Sequence, residues 1–152
     1  MDNLRAAILR PQLGLLESNC KRWNERYRIL EQTLSSSTEI TLTHRKDSEK
    51  YVGSSIQFFL NNMSSTQIEA VIAECRAHGV ELKWFGAEKP TGYTSRHNSW
   101  RYMEQQDLSK TDQILSKLLD MRIPLTFSVE DCQLIGEIIT EAVAVASKTK
   151  VE

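Results

Sequence analysis

Apolar residues recur at alternating steps of three and four through the first part of the chain: Ala6, Leu9, Leu13, Leu16, Cys20, Trp23, Tyr27, Leu30 and Leu34. That spacing lines up as one stripe on a helix. Leu4, Ala7, Ile8 and Leu15 add a second apolar strip near the start, whereas Lys21, Arg22, Glu25, Arg26 and Arg28 crowd the later turns. The first half is therefore expected to be covered on two sides and the second half to be wetter. Unbroken, such a helix reaches about 50 Å, more than a small domain spans, and is expected to lie along a partner or bridge two domains. Pro11 lacks an N–H and its ring meets the carbonyl one turn back, which predicts a kink or split there.

After Ser35-Ser36-Ser37 the period changes. Residues 40–43, with Ile40 and Leu42 inward, and residues 52–60, ending Ile56-Gln57-Phe58-Phe59-Leu60, read as strands joined by a charged, solvated loop. Ser64 and Gln67 form a capping box for a helix whose face is Ile68, Val71, Ile72 and Cys75 and which stops at Gly79. Residues 80–84 read as a further strand, and residues 85–99, with Gly86, Pro90 and Gly92, as a long loop. Ser109 with Asp112 is expected to cap another helix, placing Ile114, Leu115, Leu118 and Leu119 inward. Residues 122–125 form a short extended piece that Pro124 pushes to a sheet edge or out of the sheet. Ser128 and Asp131 cap a last helix, with Leu134, Ile135, Ile138, Ile139, Ala142 and Val145 on its inner side. The order predicts an α+β domain, in which a long N-terminal helix precedes a small sheet of about three to four strands covered by helices on one face. The expected organisation is an interdomain or dimer-type helix over 1–34, a small α+β domain over 35–147 and a frayed tail over 148–152.

Composition narrows the choice of partners. With 19 basic and 20 acidic residues among 152, and no long block of one sign, the chain offers no electrostatic footing for nucleic acid or anionic lipid. No apolar run approaches the roughly 20 residues of a membrane span, and Met1-Asp2-Asn3-Leu4-Arg5 lacks the layout of a signal peptide, so a soluble, cytoplasmic protein is expected. Cys20, Cys75 and Cys132 are an odd, dispersed set, read as reduced core residues. His44, His78 and His97 stand isolated, short of the roughly four ligands of a zinc site. Neither a nucleophile elbow nor a glycine-rich phosphate loop is present.

One stretch concentrates chemistry. Between Trp84 and Tyr102 lie Tyr93, Arg96, His97, Trp100 and Arg101, a mixture suited to a polar ligand with a flat ring and an anionic group. Arg96 and Arg101 could grip phosphate or carboxylate while an aromatic stacks. The plainer alternative is that the rings cover a sheet edge and the arginines stay wet.

An ordered set of segments resembles one family. The opening Met1-Asp2-Asn3-Leu4-Arg5-Ala6-Ala7-Ile8-Leu9 resembles the segment Asn-x-Arg-Met-x-x-Leu-x-Ala-Ala-Ile of the DegT/DnrJ/EryC1/StrS family, which begins the long helix after the large domain. Tyr27, Phe58-Phe59-Leu60 and Cys75-Arg76-Ala77-His78-Gly79-Val80 come next in the family's order. The stretch from Leu115 to Ile123-Pro124-Leu125 is similar to the family's helix leading to Leu-Pro-Leu, and Ser128-Val129-Glu130-Asp131 to the start of its final helix. The resemblance implies fold-type I chemistry, in which a lysine aldimine of pyridoxal phosphate (PLP) takes an amino group from an amino acid such as glutamate and delivers it to a keto-sugar nucleotide. It also places that lysine and the other cofactor-binding residues in a large domain ahead of Met1, so that none of the nine lysines here takes the aldimine role. The chain is then expected to be the C-terminal part of such an enzyme, without catalytic, cofactor-binding or metal-binding residues of its own, binding no cofactor and inactive alone. Arg96, His97, Trp100, Arg101 and Tyr102 become the expected substrate-binding residues, although Trp84-Phe85-Gly86-Ala87 replaces a His-Tyr-Pro-Pro-like run of the family. A homo-oligomer through the first helix is expected. The alternative is a non-catalytic binding or assembly module derived from the same domain.

Overall fold

The computed structural model describes residues 2–46, 48–89, 102, 104 and 106–148. Helix α1 (Asn3–Gly14) starts where the Asp2 side chain accepts from the Arg5 amide, and α2 (Leu16–Leu34) begins after a single residue. The break falls at Leu15, whose amide turns to the Gln12 carbonyl, and Pro11 stays inside α1. Gly14, a poor helix former, precedes the break, and its weak propensity gives way where the proline alone did not. The expected burial along this stretch is reversed. Helix α1 buries no residue, leaving Leu4 and Leu13 each 71% exposed, whereas α2 buries Arg26, Tyr27, Leu30 and Leu34. Apart from Arg26, the charged residues of the later turns, Lys21, Arg22, Glu25 and Arg28, stay exposed, and α2 rather than α1 has a strand and a second helix to lean on.

Strands β1 (Thr41–Leu42), β2 (Ser55–Phe59), β3 (Lys83–Trp84) and β4 (Leu118–Arg122) form an antiparallel sheet in the order β1-β2-β4-β3. Strand β4 corrects the expected helix through Leu119. Helix α4 (Ser109–Leu115) lasts only seven residues, its Ile114 is exposed, and Leu108 rather than Ser109 occupies the cap position without a side-chain hydrogen bond. Leu119, Met121 and Ile123 then alternate inward, a strand period that the Leu115, Leu118 and Leu119 spacing masks as a helical one. Pairing with β2 on one side and β3 on the other decides it, and Pro124 lies just past the strand, where no ladder bond is lost.

Helix α3 (Ser65–Ala77) carries the complete Ser64–Gln67 capping box and buries Ile68, Val71 and Cys75. It ends at Gly79, whose φ of +80° is open to glycine at little steric cost. Helix α5 (Val129–Lys148) is capped reciprocally by Ser128 and Asp131, but its buried face is Cys132, Gly136, Ile139, Ala142, Val143 and Ala146. Leu134 and Val145 are exposed, because α5 packs on both α2 and α3 and the small residues face those contacts. The core lies between these three helices and the sheet face bearing Ile56, Phe58, Leu119 and Met121. Each such side chain contributes about 1.5–3 kcal/mol of burial. Among the described residues no helix is long and apolar enough to cross a membrane.

Candidate functional site

Of the expected substrate-binding residues, Arg96, His97, Trp100 and Arg101 lie outside the described residues, and Tyr102 is 82% exposed. The chain just before their segment is fixed. Trp84 is buried in β3 and its indole Nε1 donates to the Ser116 carbonyl at 2.9 Å, just after α4, while the Phe85 amide bonds Leu118. Trp84 is thereby committed to the sheet edge and unavailable to stack on a ligand.

Beside that edge opens a groove of about 670 Å³. Its apolar lining includes Val80, Leu82, Met121, Phe127 and Ile135, and its charged lining is Arg76, Glu81, Lys83, Asp120 and Arg122. Three separated stretches meet here, so no local motif in the sequence announces it. Lys83 lays its ammonium 5.0 Å from the centre of the Phe85 ring.

Two other clusters tie connections to α2. Arg26, buried at 9% exposure, donates Nε to the Phe127 carbonyl at 2.6 Å and Nη1 to the Arg22 carbonyl, and Trp23 donates to the Ile123 carbonyl at 2.9 Å. These bonds hold the passage from β4 to α5. Asn24 spans Tyr51 and Gly53, accepting from the Gly53 amide at 2.7 Å and donating to the Tyr51 carbonyl at 3.0 Å. Tyr27 meets Tyr51 edge-on, and the Arg45 guanidinium stands 4.3 Å from the Tyr51 ring centre. The Tyr27 hydroxyl, accepting from Arg45, raises the Arg45 pKa above its ordinary value, with Glu49 adding and burial opposing. Both clusters are structural fastenings.

All three cysteines are unpaired thiols, with Cys75 and Cys132 buried. Burial pushes the Cys75 thiol up to about 12, helped by Glu74, and raises that of Cys132 against the pull of Arg26. Neither is an activated nucleophile. No metal-binding group of His, Cys, Asp or Glu occurs among the described residues.

A four-stranded antiparallel sheet covered by α2, α3 and α5, with α1 projecting ahead of it, is the architecture of a small domain found in aminotransferases. The aminotransferase TlmJ from Streptoalloteichus hindustanus superposes with a TM-score of 0.76 at 15% identity, covering 93% of this chain and 36% of that one. A 3-amino-5-hydroxybenzoic acid synthase gives 0.70 at 16% identity over 92% of this chain and 38% of that one. A PLP-dependent aminotransferase from Bacillus cereus ATCC 10987, described as putative, gives 0.70 at 14% identity over 91% and 36%. The chain thus spans little more than a third of the structures it resembles, and comparison with curated proteins gave no match. The sequence model of the DegT/DnrJ/EryC1/StrS aminotransferase family matches residues 1–140. The chain belongs to that family, whose cofactor is PLP.

The described residues do not make a PLP site. Of the described lysines only Lys83 and Lys117 are partly buried, and they face Phe85 and the Met63 carbonyl respectively; the rest are exposed. Among the described residues, no lysine amine is enclosed with a ring-stacking aromatic and a phosphate cradle.

Proposed function

We propose that this chain is the small C-terminal domain of a PLP-dependent aminotransferase that moves an amino group from an amino acid such as glutamate to a keto-sugar nucleotide, and that alone it is inactive. Family membership over residues 1–140 carries the reading. The cofactor and its lysine belong to a large domain, and α1 and α2 are the bridge to it. In the intact enzyme the segment from Phe85 to Tyr102 borders the sugar-nucleotide pocket, with Arg96 and Arg101 on the diphosphate, Trp100 and Tyr102 against base or sugar, and His97 on a hydroxyl. Charge-assisted contacts of this kind are worth about 1.5–3 kcal/mol. In the intact enzyme, Arg96→Ala and Arg101→Ala should each raise KM for the nucleotide sugar by about tenfold or more and leave the half-reaction with glutamate unchanged. Parallel loss of the glutamate half-reaction, or an unchanged KM, contradicts the assignment.

A second reading is favoured by one observation. Leu4, Ile8, Leu13, Leu15 and Leu16 are all more than half exposed, so α1 and the start of α2 present several uncovered aliphatic side chains. A non-catalytic assembly module would use them to form a homo-oligomer. Sedimentation equilibrium distinguishes the outcomes, since a monomer at high concentration excludes assembly through this helix.

A further inference from the structure

We draw no further inference here: the strongest candidate, the helix-free face of the sheet, where Phe59, Leu118 and Phe85 form a half-buried apolar row beside Gln57, Asp120 and Lys83, carries nothing because no feature of the described residues shows what covers it.

Discussion

Tyr27 shows how much one residue can hold in place. Its ring lies in the core, its hydroxyl meets Arg45, and Gly53 packs so closely on it that an added Cβ would stand 2.5 Å from the Tyr27 Cβ. Gly53→Ala should therefore destabilise by about 1–3 kcal/mol, as urea unfolding would measure. Cys75 gives a pH-dependent expectation. Its folded pKa is raised by burial, so its contribution is fully present below the unfolded thiol value of about 8.5 and is lost as pH rises toward the folded value. Stability should fall by up to about 1.4 kcal/mol per pH unit in that interval, and Cys75→Val should remove this part of the slope. Residues whose role is local were legible beforehand: Ser64 with Gln67 and Ser128 with Asp131 cap their helices as their three-residue spacing required. The contacts of Gly53 with Tyr27 and of Arg26 with Phe127 join positions far apart in the chain, and no window of sequence contains both partners.

Among the elements, the strands and helices with one unambiguous period were readable, and β4 was not. Leu115, Leu118 and Leu119 fit a helical face, while Leu119, Met121 and Ile123 fit a strand, and only the neighbours β2 and β3 select the second. The two assignments predict different mutational costs. Leu119→Ala in the central strand should cost about 2–5 kcal/mol, whereas Ile114→Ala on the exposed side of α4 should stay within about 0.5 kcal/mol. Comparable losses at both sites would mean that they share a buried helical face. The face of α5 was misplaced for a related reason: Leu134 and Val145 are apolar yet exposed, and the close packing against α2 and α3 selects Gly136, Ala142 and Ala146 instead. Helix α1 was expected to be covered, since aliphatic content signals burial without saying in which chain the cover lies. Deleting residues 2–14 should change unfolding stability by no more than about 0.5–1 kcal/mol, because this helix buries nothing here.

For the whole molecule, the succession of elements and the family resemblance were visible in the sequence, and the fold agrees with both. The groove was not, because its lining comes from the end of α3, from β3 and β4, and from the start of α5. Arg96, His97, Trp100 and Arg101 remain a proposal carried by residue type and family, following Trp84, which its bond to Ser116 holds at the edge of the sheet. The central claim is that the cofactor chemistry belongs to another domain. Its most direct test is to incubate the chain with PLP, reduce with borohydride and map the labelled peptides. Substoichiometric labelling scattered over exposed lysines is the predicted result; stoichiometric labelling of one lysine, Lys83 for example, would contradict it.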